Sequence, residues 1–464
     1  MFKQLDLTRG PIHKRLLQFF FPILLGVFFQ QLYNTVDALV VGNLVGKEAL
    51  AAVGGSASQI VNLLVGFFLG LSSGATVLIA QYYGGRQYGD LKSALHTNVV
   101  FSILGGAVLM GVGYFVARPA LELMKTPQDT MIYSIQYVRV IFLGVIPSLI
   151  YNMGSGILRA MGDSRRPLLY LIVCCLTNTV LDLVFVAVLK MEVLGVAIAT
   201  ALSQCVSAIL VLTALHRLDP RYRLAFRDLK MRGADLRGIM RIGSPAALQG
   251  SSYSISNLLL LTSVNALGTD TVAGWTATGK ADSIFWMLMG ALGTTVLTFM
   301  GQNVGAGKLE RAKKGVRMCL IAGEITAVVL TALLLLFGKT VISFFNQDQN
   351  VVDIGYVVLT FCVPAYVMWV IMEVLSGALR GSGDAFWPMV MILTGICGLR
   401  LIWLYTAVPL HHTVGMISMS YPITWVITGI AFLIYYKAGA WQKRLPARPE
   451  PGEPEELLAF FQLW

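Results

Sequence analysis

Ionisable side chains stand inside long apolar stretches of this chain: Asp37 and Asp182 in the first half, and Lys280, Asp282, Glu324, Glu373 and Arg400 in the second. A carboxylate at the centre of a bilayer costs about 2.5–3.5 kcal/mol even on lenient insertion scales, so each of these groups needs a purpose. Asp37 follows Pro22 by 15 residues. At about 1.5 Å per residue that is about 22 Å along a helix, which places it in the outer half of a membrane. Asp182 lies one turn beyond Asn178, and this i, i+4 spacing puts both on one face. Asn34 precedes Asp37 by one turn, and Asn152, Thr200 and Gln204 bring further oxygens. Two carboxyls together with amide and hydroxyl oxygens could take up a proton, or replace the hydration shell of a sodium ion. For Asn34 and Asn152 plain interhelical hydrogen bonding, about 0.6–2 kcal/mol per contact, competes with a role at a site.

The second set is less uniform. Lys280 and Asp282 are two residues apart and cannot face each other on a helix. Arg400 lies twelve residues after Pro388, near mid-membrane, where it could pair with Glu373 or Glu324. Either these groups form a structural ion-pair network or they line a cavity for a substrate cation or second ion. Glu373 is the stronger candidate, because it stands seven residues before Arg380 as Asn152 stands seven before Arg159. Arg139 can snorkel outward and receives no role.

The elements that must position these residues are membrane helices. The chain is 56% hydrophobic and 13% charged, with mean hydropathy +0.71; a soluble domain carries about 25% charge. Twelve apolar stretches of spanning length fall near 17–45, 55–81, 94–116, 131–158, 168–189, 194–215, 243–266, 272–301, 317–338, 354–379, 388–408 and 414–436. The second and eighth are long enough to tilt or bend. Met1–Leu16 runs into the first stretch without the cleavage site of a signal peptide.

The chain also repeats itself. R-A-M-G-D-S-R-R-P at 159–167 returns as R-G-S-G-D-A-F-W-P at 380–388, an offset of 221 residues. Pro22 and Pro245 each begin a span, and A-Q-Y-Y-G-G-R (80–86) is matched by G-Q-N-V-G-A-G (301–307). Lys47, Arg118, Lys125, Lys190 and Lys339 fall on one side of the membrane and Arg139, Lys280 and Arg400 within spans; all other Lys and Arg fall opposite, which puts both termini in the cytoplasm. Six spans separate the two breaks, so the halves have the same orientation. The expected fold is therefore an all-α integral membrane protein with two six-helix lobes related by a parallel repeat. The divisions are a cytoplasmic N-terminus (1–16), an N-lobe (17–216), a basic, solvated linker (217–242), a C-lobe (243–437) and a disordered cytoplasmic tail (438–464) whose last nine residues could rest on the membrane.

Several functions are excluded. The net charge of +11 is explained by topology, without nucleic acid. The Gly-rich segments read as tight turns, since no P-loop Lys-Ser/Thr follows them, so no nucleotide is used and energy must come from an ion gradient. The cysteines (Cys174, Cys175, Cys205, Cys319, Cys362, Cys397) read as small buried hydrophobes, and His411 and His412 do not form a metal site. No enzymatic constellation or cofactor motif is present. Plentiful Met and aromatic residues could line a cavity for flat apolar cations, although the sequence does not say which.

In order and spacing these parts resemble the multidrug and toxic compound extrusion (MATE) family over about residues 10–437. The resemblance rests on Pro22 and Asp37, V-G-N-L-V-G-K-E-A-L-A-A-V-G at 41–54, the two R-x-x-G-D-x-x-x-P breaks and Q-N-V-G-A-G-K-L-E-R-A at 302–312. It implies a monomeric, cofactor-free exporter of amphipathic organic cations in the bacterial cytoplasmic membrane, working by alternating access against proton or sodium influx. It places the ion site on Asp37, Asn178, Asp182 and Thr200, with Pro22 as a helix hinge. The cargo cavity would draw on Asn34, Asn152, Gln204, Lys280, Asp282, Glu373 and Arg400. P-A-A-L-Q-G-S-S-Y-S (245–254) carries no acid, and Trp369 stands where the family's tenth helix holds an aspartate. Both features are similar to the DinF-type branch more than to the NorM branch. Two rivals stay open: a lipid-linked precursor flippase of the same superfamily, disfavoured because the cavity acids outnumber the bases, and a membrane scaffold.

Overall fold

The computed structural model describes residues 4–46, 49, 53–124 and 126–445. Among the described residues the chain is helical and contains no strand. The first half supplies α1 (Ile12–Leu44), α2 (Ser56–Gly84), α3 (Tyr88–Leu123), α4 (Gln128–Leu143 and Val145–Ala160), α5 (Arg165–Asp182 with a π-helical Leu183–Val188) and α6 (Glu192–His216). The second half supplies α7 (Gly233–Asn265), α8 (Thr269–Ala281 and Ser283–Gly305), α9 (Leu309–Ser343), α10 (Gln349–Cys362 and Tyr366–Ser382), α11 (Phe386–Ile392, a π-helical Leu393–Gly398 and Leu399–Thr406) and α12 (Val414–Ser418 and Ser420–Ala438). Ten are long and apolar enough to cross a membrane, and α4, bent by 52° at Gly144, makes eleven. The twelfth, α7, has 33 residues but is diluted by Ser244, Ser251, Ser252, Ser254 and Ser256. Large apolar side chains such as Phe115 and Leu336 stand on the outside, as lipid requires and water would not. The chain is a multi-pass membrane protein.

Several boundaries differ from expectation. Pro22 and Pro245 lie inside α1 and α7, which begin at Ile12 and Gly233. Of the two stretches long enough to bend, α2 stays one helix and α8 breaks at Asp282. The linker is shorter than 217–242, because α7 starts at Gly233, and it is not a solvated strand. Leu224 is fully buried, its amide bonds the Leu215 carbonyl at 3.0 Å, and Tyr222 stacks on Tyr88. Ion pairs Lys92–Asp228 and Arg232–Asp90, each 3.1 Å, tie it to α3. The start of the tail is also folded: Ala440–Arg444 forms a 3₁₀ turn that buries Trp441, and Arg444 reaches Asp384 at 3.4 Å. Residues 446–464, Lys47, Lys125 and part of the 41–54 motif lie outside the described residues.

Both G-D breaks and both ends of the described chain, Leu5 and Arg444, share one face, called here the terminal face. Gly162 (φ +84°) and Gly383 (φ +99°) adopt the left-handed conformation that favours glycine. Asp163 then caps the next helix, accepting from the Arg165 and Arg166 amides at 3.2 and 3.1 Å, while Asp384 accepts from the Tyr435 hydroxyl. These breaks are turns, as the repeat implied.

The Gly-rich ends of α2 and α8 have a second purpose. A methyl group at Gly84 would overlap the Gln302 carbonyl, and one at Gly305 would overlap that of Gln81, so the two helices meet backbone to backbone across the lobes. Gln81 Nε2 donates to the Gly381 carbonyl at 3.0 Å, and Gln302 Nε2 donates to the Ala160 carbonyl at 2.7 Å. Both glutamines and both acceptors are related by the 221-residue offset. The N-terminal segment completes this closure. The Leu7 amide donates to Gln302 Oε1 at 3.2 Å, the Leu5 amide to the Gly162 carbonyl at 3.1 Å, and Lys308 to the Thr8 carbonyl at 3.0 Å. Each half also lends its first helix to the other. Leu16, Phe19 and Ile23 of α1 share a core with Phe285 and Phe299 of α8, and α7 packs along α2.

Candidate functional site

The first site lies where α1, α5 and α6 meet. Asp37 is 9% exposed, and Asn178 and Asp182 are fully buried. The Asn178 amide, oriented by its surroundings, donates to Asp37 Oδ1 at 2.7 Å and to Asp182 Oδ2 at 3.2 Å. The two carboxyls are themselves within hydrogen-bonding reach, and Tyr33 and Tyr137 border them. Two carboxyls in contact need a proton or a cation between them. Asp182 Oδ1, Thr200 Oγ1 and Gln204 Oε1 are buried without a partner, so acceptor capacity is left over for an ion. The donor set is all hard oxygen; no group of three or more His, Cys, Asp and Glu stands together among the described residues. That chemistry suits a proton or sodium and not a transition metal. Val40, Val41, Val186, Val193 and Val196 of the same three helices pack together into an apolar cluster.

Local structure explains why α5 can present Asp182 here. A π-helical turn begins at the next residue, Leu183, and π-turns release the regular hydrogen-bond ladder beside functional groups. In α11 the π-helical Leu393–Gly398 stands just before Arg400. Each lobe therefore bends its fifth helix next to its buried charge.

The second site is a cavity of about 410 Å³ within the second lobe, between α7, α8, α10, α11 and α12. Its walls are largely aromatic: Trp275, Trp286, Trp369, Trp425, Tyr253 and Tyr421. Asp282 enters from the break in α8; its Oδ2 accepts from Trp286 Nε1 and from the Tyr366 hydroxyl, both at 3.0 Å. Arg400, 2% exposed, donates to Asn257 Oδ1 at 3.1 Å and lies 4.3 Å over the Tyr421 ring.

Placement of the remaining candidates is mixed. Asn34 is exposed and stays outside the Asp37 cluster. Asn152 returns its amide to the Ser148 carbonyl of its own helix at 2.8 Å, which is neither an interhelical bond nor a contact with the Asp37 cluster. Lys280 is exposed and does not line the cavity, as its two-residue offset from Asp282 demands. Glu373 packs against Gly293 of α8. The expected pairing of Arg400 with Glu373 or Glu324 does not occur: neither carboxylate reaches it, and Asn257 and Ser256 of α7 take that place. Arg139 stacks 4.8 Å over Tyr114. All six cysteines are free and at least half-buried. Pro22 is carried within a continuous α1. Sequence reasoning missed Gln81 and Gln302, although both stood in the repeated stretches. It also could not select the cavity tryptophans, because that needs the rotation of each helix about its axis.

A family model described as MatE matches residues 22–184 and again 245–406, one match for each half. The chain belongs to the MATE family. This is a family of multidrug efflux transporters, not of enzymes. The chain is 30% identical over 447 residues to the probable multidrug resistance protein YpnP of Bacillus subtilis, covering 95% of this chain and 98% of that one. It is 26% identical over 444 residues to an FAD transporter of Shewanella oneidensis, covering 93% and 95%. Among solved structures, a MATE protein crystallised in a bent conformation superposes with a TM-score of 0.88 at 22% identity, over 96% of this chain and 99% of that one. A MOP superfamily transporter from Pyrococcus furiosus, described as having a binding pocket of reverse polarity, gives 0.87 at 22% identity, over 95% and 99%. The fold of this chain is thus shared with both solved structures.

Proposed function

We propose that this MATE protein is a secondary active exporter in a bacterial cytoplasmic membrane, with both termini inside. It drives amphipathic, mainly cationic organic molecules outward against the inflow of protons or sodium, working as a monomer by alternating access. The observation that carries this reading is the buried contact of Asp37 and Asp182 under the Asn178 amide. A charge pair kept out of water changes its net charge whenever an ion arrives or leaves, and that change can do mechanical work on α1 and α5. The acid-free stretch 245–254 and Trp369 in α10 favour a DinF-type over a NorM-type assignment.

The cycle follows from the closure of the terminal face. With the terminal face shut by Gln81, Gln302 and the Leu5–Leu7 segment, cargo leaves on the opposite side. An ion from that side reaches Asp37 and Asp182, satisfies the free oxygens, and lets α1 bend near Pro22. The altered α1 withdraws contacts from α8, cargo is released, and the lobes rock to open the terminal face. There the ion leaves and new cargo binds.

The test is transport in proteoliposomes under an imposed proton gradient and, separately, a sodium gradient. Wild-type protein exports a fluorescent organic cation under one of them, and Asp37→Asn falls to the leak rate. Ion-driven export by Asp37→Asn at the wild-type rate would falsify the coupling role.

A further inference from the structure

A separate cavity, of about 300 Å³, lies on the seam between the two halves, with α1 on one side and α8 and α9 on the other. Leu17 and Phe20 of α1, Leu288 and Leu292 of α8, and Met318 and Ala322 of α9 form its walls. The hydroxyls of Thr295 and Thr326 also stand in the walls, but each bonds a carbonyl of its own helix, Ala291 at 2.8 Å and Ala322 at 2.9 Å. Deeper than His13, the walls therefore offer a guest hydrocarbon contact and little else. Leu17 and Ala322 are exposed on the outside of the bundle, so the cavity is a groove open sideways to the lipid.

The mouth of the groove at the terminal face has the opposite character. His13 lines it and is exposed, as is Lys14 beside it. Lys314 stands one turn before Met318, and Arg311 one turn before Lys314, so both continue the face of α9 that lines the groove. Lys308 and Arg311 donate to the Thr8 and Leu7 carbonyls at 3.0 and 3.2 Å, which draws the start of α9 and the segment leading into α1 together. Arg15 is close enough to Arg311 for their charges to act on each other. Residues 6–17 and 308–317 hold eight Lys and Arg against two acids. Both acids are already engaged: Asp6 pairs with Arg9 at 3.7 Å, and Glu310 with Lys313 at 3.2 Å. Among the described residues no carboxylate forms an ion pair with Lys14, Arg15, Arg311 or Lys314.

A hydrocarbon groove that ends in uncompensated cations is complementary to a molecule with an apolar chain and an anionic head. Its side opening faces the bilayer, where such molecules reside. We propose that this groove binds an anionic phospholipid of the leaflet at the terminal face. One acyl chain lies between α1, α8 and α9, and the phosphate meets Lys14 and Lys314 with the arginines behind them. An organic cation would be repelled at this mouth, so the groove is not a second cargo site. Because α1 belongs to one half and α8 and α9 to the other, the bound lipid touches both lobes beside the closure made by Leu7 and Gln302.

The experiment is native mass spectrometry of the full-length protein, released from detergent micelles that contain equal amounts of phosphatidylglycerol and phosphatidylcholine with matched acyl chains. Wild-type monomer retains one phosphatidylglycerol with at least about 25-fold preference, the contribution of two cations near an anionic lipid. Lys314→Gln lowers that preference about fivefold, the share of one. Ala322→Phe fills the groove without changing a charge, and it lowers the retention of phosphatidylglycerol. Arg227→Gln, an exposed linker residue, leaves it as in wild type. Equal retention of the two lipids by wild type overturns the inference whether or not the variants fold, and so does undiminished retention by a folded Ala322→Phe. A dimer in place of the lipid-bound monomer would give the groove to a second copy, and lipid retained only after the chain is ended at Leu445 would give it to the chain's own tail; either result overturns the inference. Neither cargo nor an ion gradient enters this measurement, so its outcome is separate from that of the transport test.

Discussion

Replacing Gln302 by leucine should unlock the terminal face. Gln302 is fully buried and holds three pieces of the protein at once: its own helix α8, the Ala160 carbonyl of the first lobe at 2.7 Å, and the Leu7 amide of the N-terminal segment at 3.2 Å. Leucine keeps most of the volume and removes both hydrogen bonds. An orphaned buried donor or acceptor costs about 1–3 kcal/mol, so two of them destabilise the closed face by about 2–6 kcal/mol relative to a state in which both groups reach water. At about 1.4 kcal/mol per factor of ten, the ratio of closed to open molecules falls by roughly 30- to 20,000-fold. Spin labels at Arg217 and Lys314, exposed residues of the first and second halves at that face, would report the distance between the lobes. Wild-type protein should give one short distance, and Gln302→Leu should populate a longer one. Gln81→Leu, at the related position, should act in the same direction through the loss of its bond to Gly381. A folded Gln302→Leu protein whose distance distribution matches wild type would refute the reasoning.

Other outcomes follow from the same geometry. Gly305→Leu puts a side chain where the Gln81 carbonyl stands, so it should hold the face apart at about 1–3 kcal/mol of overpacking and abolish export in proteoliposomes; retained export would contradict the close approach. Ending the chain after Ala438 rather than after Leu445 removes the buried Trp441, with a loss of about 3–5 kcal/mol and a clear drop in melting temperature in detergent. Asn178→Leu removes the donor shared by Asp37 and Asp182, and should stop gradient-driven transport in proteoliposomes.

The sequence carried the helices and the first site far better than the second. Spacing i, i+4 was enough to join Asn178 to Asp182, because both lie on regular α-helix before the π-turn begins at Leu183. Asp37 joined them because an ionisable group has so few tolerable places in a bilayer. Asn34 shared a face with Asp37 on paper but is exposed, since one turn is enough to leave a buried stripe. Arg400 was assigned the wrong partners for a different reason. It follows the π-helical Leu393–Gly398, which shifts the rotation of every residue after it, so its direction cannot be projected from Pro388. The glycines at 84 and 305 were read as turns because a sequence shows local bends and not the neighbour that comes against them. The glutamines beside them were hidden by the same limit.

The N-terminal segment sets an order of assembly. Leu7 leaves the ribosome before the rest of both lobes, yet its amide bonds a side chain 295 residues further along. At about 5–20 residues per second, roughly 15 to 60 s pass before that partner exists. During that interval the first lobe can fold around Asn178 and Asp182, but its share of the terminal face has nothing to close against. A segment made before either lobe is therefore among the last to dock, and it fastens only when α8 of the second lobe is in place. A chain whose second lobe is damaged or unfinished keeps that segment loose at the membrane surface, where a protease could tell it from a completed transporter.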